Sequence, residues 1–563
     1  MFEFSRLRNT SSLALIALLA GALVATGCDK GGESNGEKAP EGAAGSDNDD
    51  EFRAGSKVDQ FTFVVSADPE TFDTAKMSGA PEGRLAFQLF EGLMVPGPTT
   101  EGLDDPADLV LPGVAKSYEV SEDGRTYTFE LRKDAKWSNG DPVTSEDFVY
   151  SWERVLSPDF PADYATMMYV IKGAKDYNKS EDGDWDEVGV EAPDEHTLVV
   201  ELENPTPYFP ELLAFYTFYP VPKDVVEEHG DDWTEPENII SNGAYKLATY
   251  RSQKEITLAK NEHYWGADDV SIDKAKVRIM PDRNAITNAY RSGELHWSGT
   301  SLPVSQISSF VAHPDYRRDP MLGNYYFRIN VSDEDAPLSD KRVRKALSMA
   351  TDRQSLVEDV LNGLYETADS YVPPMAGYES TTTVEYNPKR AKALLEEAGY
   401  GEGEEMPEIS LLYNTDENHK LVAESVQKQW KRNLGIDVEL INKEWKMYLQ
   451  DVDSLNYQVA RAGWIGDFND PMTFLDMWET DNGNNDTGWS NEEYDDLLDQ
   501  IRSEPDVDKR QKLLQEAETL LLEEGPVIPV YYYTNNVLVS RELEGFEAHN
   551  RDIHLLKYMS LPE

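Results

Sequence analysis

The 563-residue sequence predicts a mixed α/β protein. Strand and helix signals alternate from about Val58 to the C-terminus, and no segment repeats at a fixed period, which argues against a solenoid. With 39% hydrophobic and 10% aromatic residues the chain can bury sizeable cores, and its length points to about two to four domains.

The N-terminus is not part of that pattern. MFEFSRLRNT carries Arg6 and Arg8, and residues 13–26 are uncharged and mostly apolar. This run is shorter than the about 20 residues of a membrane-spanning helix, but it suits a signal-peptide core. It ends in ATGC, whose Cys28 is the only cysteine and so has no internal disulfide partner. The stretch (1–28) resembles a bacterial lipoprotein signal, in which the cysteine becomes the acylated first residue; Ala25 stands where leucine is usual. More than one acyl chain on that residue anchors stably where a single chain does not. Residues 29–57, rich in Gly, Ser and acids, cannot bury enough surface to offset ordering and read as a flexible, self-repelling tether.

Regular elements follow. RTYTFELRKDAKW puts Tyr127, Phe129 and Leu131 on one face after an Asp123-Gly124 turn, the pattern of a strand. TSEDFVYSWERVL offers Thr144 as N-cap and sets Phe148, Trp152 and Val155 on one helical face. NPKRAKALLEEAGY reads as a helix capped by Asn387, with Pro388 first, a stripe of Ala391, Leu394, Leu395 and Ala398, and Gly399 as stop. GIDVELI and PVIPVYYY are strand-like.

Acidic residues outnumber basic ones 106 to 52, a net charge of -54. That balance opposes nucleic-acid or anionic-membrane binding through the folded body and suits a strongly solvated surface. The sequence has no G-x-x-x-x-G-K-[ST] and no H-E-x-x-H, and its eight histidines are scattered. EDGDWDE spaces Asp182, Asp184 and Asp186 like the start of a calcium loop, but Glu187 replaces the required glycine and Pro193 the closing acid, so it reads as a solvated loop. The expectation is a binding protein without catalytic residues, metal or cofactor; a carboxylate-dependent hydrolase has no motif behind it. RAGWIGDFNDP (461–471) sets charges among residues that look built for burial. Buried charges are costly unless paired. Asp467 then needs either Arg461 or the ammonium group of a ligand.

ETFDTAKMSGAPEGRLAFQLFEGLMV, LRKDAKWSNGDPVTSEDFVYSWERV, NGAYKL, LLYNTDENHKLVAESVQKQWKRNLGIDVELINKEW, ARAGWIGDFNDPMTFL and VIPVYYYTNN occur in this order. Together they resemble the oligopeptide-binding proteins of bacterial ABC importers, the extracellular solute-binding proteins of family 5, over essentially the whole chain beyond the tether. The resemblance implies a two-lobed periplasmic-binding-protein (venus-flytrap, class II) fold with an additional domain. Domain I would comprise 58–90, 223–322 and 535–563, domain II 91–222 and domain III 323–534, with the ligand between the lobes. It also implies a monomer held outside the cell membrane by its lipid anchor, passing short peptides to the permease and ATPase subunits of an importer.

The same resemblance implies the site. Asp467, three residues after RAGW, would pair with a peptide's α-ammonium, whose pKa of about 7.7–8.0 keeps it mostly charged at neutral pH. Tyr164 would line the cleft, Ala80 and Gly463 would lend backbone to the peptide, and Trp445 and Trp464 would wall its side-chain pockets. His419 would meet the carboxylate of a longer peptide, and Arg461 and Tyr326 complete the expected set. Some positions depart from the family. Val452 falls where an arginine grips a shorter peptide's carboxylate, Ser78 where some relatives carry an acid, and Gly323 and Ile465 where some carry a cysteine pair. Rival cargoes on the same fold are a cell-wall muropeptide or a signalling peptide, and a chaperone is a further alternative.

Overall fold

The computed structural model describes residues 60–103, 109–180, 183–375, 377–401 and 406–562. The expected leader with Cys28, the tether 29–57 and Asp182 lie outside them.

β1 (Phe61–Val65) is buried along its whole length, as its near-continuous apolar run FTFVV requires. Helix α1 (Ala80–Leu89) carries proline in its first turn and buries Leu85, Ala86 and Leu89. A short hairpin of β2 (Met94–Pro96) and β3 (Val110–Pro112) leads into an antiparallel sheet. That sheet contains β4 (Ala115–Val120), β5 (Thr126–Leu131), β6 (Val190–Asp194) and β7 (Thr197–Glu201) in the order β4-β5-β7-β6. In β5 the expected alternation holds: Tyr127, Phe129 and Leu131 are buried while Thr128 and Glu130 face water. Helix α2 (Ser145–Leu156) begins at Thr144, whose N–H donates to the Asp147 carboxylate at 2.7 Å, and it buries Phe148, Trp152 and Val155.

The chain then returns to its start. β8 (Tyr245–Arg251), β9 (Glu255–Lys260) and β10 (Lys274–Ile279) extend β1 into the sheet β1-β10-β9-β8. β1 and β10 run parallel with Phe61 opposite Ala275, so this sheet closes only after the intervening segment has been inserted.

The largest sheet holds the functional wall. Its strands are β11 (Tyr316–Ile329), β12 (Glu366–Thr367), β13 (Ile409–Asn414), β14 (Val438–Lys443), β15 (Val459–Ile465) and β16 (Val527–Leu538), in the order β12-β16-β11-β15-β13-β14. Helices α3 (Pro388–Glu397), α4 (Glu417–Leu434) and α5 (Trp445–Asp453) belong to the same part of the chain. In α3 the Asn387 side chain accepts the Arg390 N–H, as the cap reading expects, and Ala391, Leu394 and Leu395 are buried. β11 and β16 are long and antiparallel, and their pairing slips between Pro320 and Asn324. Gly323 and Ile465 are cross-strand partners in β11 and β15.

The mixed α/β class predicted is the class found. EDGDWDE is indeed a surface turn where described: Asp184 accepts the Asp186 N–H at 3.1 Å and both side chains are exposed.

Candidate functional site

β15 carries RAGW, and its two edges are treated differently. On one side it pairs with β11 along its full length, from Val459 to Ile465. On the other side β13 reaches only Val459 and Ala460. From Arg461 to Ile465 the second edge has no strand partner among the described residues, so main-chain groups there, apart from the Arg461 carbonyl, which accepts from Tyr448, are open to an added strand. This edge borders two adjoining cavities of about 210 and 550 Å³, and Ala80, Trp445, Arg461 and Gly463 line both.

Asp467 lies just past the free edge. Its main chain is fixed twice: the N–H donates to Thr473 Oγ1 at 2.8 Å, and the carbonyl accepts from the Arg551 guanidinium. The side chain is different. The residue is only 7% exposed and lines the smaller cavity, and no hydrogen bond reaches its carboxylate among the described residues. Burial, followed by the nearby Asp476 charge, holds this carboxyl well above its ordinary range, against the opposing pull of Arg551. A cation placed in the cavity would reverse that shift.

Arg461 does not supply that cation. Its Nε donates to Asn414 Oδ1 at 2.6 Å and its guanidinium lies over Tyr448 and Trp445, 5.4 and 5.7 Å from the ring centres. The internal Asp467–Arg461 pair that the sequence leaves open is therefore not formed. Tyr448 Oη donates to the Arg461 carbonyl and stacks on Trp445 with ring centres 5.6 Å apart, which fixes both walls.

Tyr164 and Trp464 face the smaller cavity as a pair of rings 5.9 Å apart, and Tyr164 is backed by Phe215 at 5.1 Å. The buried indole N–H of Trp464 has no acceptor among the described residues. His419 lines the larger cavity, in the first turn of α4 rather than in a loop. It is 9% exposed, and burial, then Arg461, pushes its pKa well below the usual value, which favours the neutral imidazole. Its neighbour Asp416 is occupied by Arg283 at 2.6 Å.

Tyr326 is a correction. It lines neither cavity; it is wholly buried, with its ring 5.4 Å from Tyr371 and 5.8 Å from Trp478. Along β11 successive side chains take opposite faces, and Tyr326 takes the one packed against Tyr371 and Trp478. Val452 and Ser78, two of the departures from the family pattern, are both in the wall. Asp163, Asp453, Arg328 and Arg551 are among the wall residues that had no distinguishing signal in the sequence. Arg551 is held by Glu211 at 3.6 Å, itself bonded by Asn469 at 2.8 Å, so the support under Asp467 is a buried chain of polar groups from three distant segments.

Residues 110–486 match the profile of the bacterial extracellular solute-binding proteins, family 5. The oligopeptide-binding protein OppA of Bacillus subtilis is 38% identical over 500 residues, 85% of this chain and 89% of that protein. The structure of Haemophilus influenzae OppA in complex with RPPGFSPFR is 32% identical and superposes with a TM-score of 0.84, covering 90% of this chain and 100% of that one. The Escherichia coli murein tripeptide binding protein MppA is 34% identical, covers 90% of this chain and 98% of its own, and also gives a TM-score of 0.84. An unliganded open form of MppA, at 33% identity and covering the same 90% and 98%, gives only 0.60. The same relative thus fits well in one form and poorly when open, so the lobes stand here as in the peptide complex. In sequence and in its two-lobed fold, the chain belongs to the bacterial extracellular solute-binding proteins of family 5.

Proposed function

We propose that the protein captures short oligopeptides outside the cytoplasm and delivers them to the permease and ATPase subunits of an ABC importer. The peptide lies extended along the free edge of β15 from Arg461 to Ile465, its main chain completing hydrogen bonds that no strand among the described residues supplies. Asp467 receives the α-ammonium as a charge-assisted pair. His419, as a neutral donor, meets the carboxylate of a longer peptide in the larger cavity. Tyr164, Trp445 and Trp464 wall side-chain pockets, and Ala80 and Gly463 bring backbone to the ligand. Binding leaves the peptide unchanged. Cys28 carries the lipid anchor, residues 29–57 the tether, and the protein works as a monomer. Domain I is 58–90, 223–322 and 535–563, domain II 91–222 and domain III 323–534.

The observation that carries this reading is the buried, unbonded Asp467 carboxylate beside an unpaired strand edge. Native mass spectrometry of the protein extracted without denaturant tests it. A ladder of released peptides that share a length but not a sequence is the expected result. One defined compound, such as a muropeptide, would overturn sequence-tolerant capture, and cleaved peptide after long incubation would overturn simple binding.

A further inference from the structure

The smaller cavity holds more negative charge than its arginines neutralise. Of the five aspartates in its wall, Asp552 pairs with Arg84 and Asp486 with Arg328. Arg551 is turned to Glu211 and to the Asp467 carbonyl, and Arg461 to Asn414. Asp467 is committed to the peptide's α-ammonium in the function proposed above. Asp163 and Asp453 remain, with no ion-pair partner among the described residues.

These two carboxylates come from distant parts of the chain and are placed against electrostatic preference. Asp163 precedes the 3-10 turn Ala165–Val170, and its main chain is held where Asn484 Nδ2 donates to its carbonyl at 3.2 Å. Asp453 ends α5, and the C-terminus of a helix disfavours an anion. Burial, then Asp453 and Asp486, push Asp163 up to about 7; partial burial, then Asp486 and Glu70, push Asp453 up to about 6 against the opposing pull of Arg328. Like charges so arranged oppose one another until a cation enters.

The cation is not a bare metal ion, because no three His, Cys, Asp or Glu side chains among the described residues converge closely enough to hold one. The same wall presents Leu449, Val452 and Trp464, an apolar track for a methylene stem and an indole face for its charged end. That this cavity is built for a ligand rests independently on Asp467, 7% exposed and unbonded at its carboxylate.

Resting on the peptide reading, we propose that Asp163 and Asp453 form a side-chain pocket for the cationic group of a lysine or arginine in the bound peptide. Closing the cleft over a neutral side chain sets the two carboxylates against each other in a drier site. Closing it over a cation pairs both, so the preference is expressed through closure.

The test is calorimetric titration of the full-length protein, freed of endogenous ligand, with tetra-alanine variants carrying lysine, norleucine or glutamate at each position in turn. Norleucine keeps the stem of lysine and removes its charge. At one position lysine should bind about tenfold tighter than norleucine, the size of one partly buried charge pair, and glutamate weaker than either. The double variant Asp163→Asn/Asp453→Asn should close that gap and keep the norleucine series. The single Asp453→Asn, at an exposed side chain, should narrow it if the double variant does not fold. Equal binding of lysine and norleucine everywhere, with tetra-alanine still bound, overturns the pocket and leaves peptide capture standing. Failure to bind any of the peptides overturns both. A lysine preference that survives both variants, or spermidine binding as tightly as the lysine peptide, also overturns the pocket.

Discussion

At Asp467 the protein keeps a buried carboxylate without a donor among the described residues, a state that is costly. Replacing it by asparagine, or acetylating the peptide's amine, should weaken binding by about 2–5 kcal/mol, the range for breaking a buried charge pair, and titration calorimetry reads the loss directly. A smaller change than about 1 kcal/mol would remove Asp467 from the amine site. The pH dependence has a definite sign. In the ligand-free protein the raised pKa means that Asp467 holds a proton above the ordinary carboxylate range. A bound ammonium lowers that pKa, so capture of tetra-alanine should release a proton, and affinity should rise with pH. Above about 7.7–8.0 the peptide's own amine deprotonates and affinity falls again. Titrations in buffers of different ionisation enthalpy count the proton, and its disappearance in Asp467→Asn assigns it. The same linkage makes Asp467 a stability defect: folded-state stability from this group is full below the unfolded pKa of about 3.9 and declines as pH rises towards the folded value. Asp467→Asn should therefore melt at a higher temperature than the parent at neutral pH without ligand.

Among the elements, β15 decides how a ligand is held, and Gly463 is where side-chain volume is forbidden. A Cβ there would lie 2.2 Å from Tyr533 Oη and 3.1 Å from the Asn324 carbonyl. Tyr533 lines the larger cavity, so Gly463→Ala should drive its ring into ligand space and cost about 1–3 kcal/mol, as overpacking does, chiefly in peptide affinity. Wild-type affinity in this variant would place the peptide elsewhere. The elements that the sequence announces are those decided locally. β5 follows a period-2 pattern, and α2 and α3 carry their caps within four residues. The parallel pairing of Phe61 with Ala275 has no local signature, nor does the slip between β11 and β16, because both depend on chain segments far apart. The site divides in the same way. RAGW and Asp467 are a contiguous block that can be matched, whereas Asp163 and Asp453 are two acids among 106 and matter only once folding brings them into one wall. Tyr326 shows the complementary failure: it and its neighbour Tyr325 are identical in sequence and both wholly buried, and only the register of β11 sends one towards His419 and the other towards Trp478.

At the scale of the whole molecule, capture is a balance between closure and self-repulsion. A ligand that touches both lobes only when they meet shifts the open–closed equilibrium by its differential affinity. β11 and β16 run through the expected boundary between the lobes, near residues 322 and 535, and their slipped pairing between Pro320 and Asn324 marks a place where bending breaks few ladder bonds. Small-angle scattering should then show the radius of gyration falling when peptide is added to the ligand-free protein. The chain's net charge of -54 acts against bringing its surfaces together. Salt weakens that opposition: the Debye length falls from about 30 Å at 0.01 M to about 8 Å at 0.15 M, so charges on facing lobes cease to act on one another except at close range. A zwitterionic peptide such as tetra-alanine has no net charge of its own to be screened. Its dissociation constant should therefore decrease from about 0.01 M to about 0.15 M salt, the reverse of the usual weakening of charge-driven binding. Tighter binding with salt, matched by a lower radius of gyration at the same peptide concentration, would make lobe repulsion part of the affinity. A flat or rising dissociation constant would mean that the acidic surface serves solvation alone and that the contacts at Asp467 and the free edge of β15 set the equilibrium by themselves.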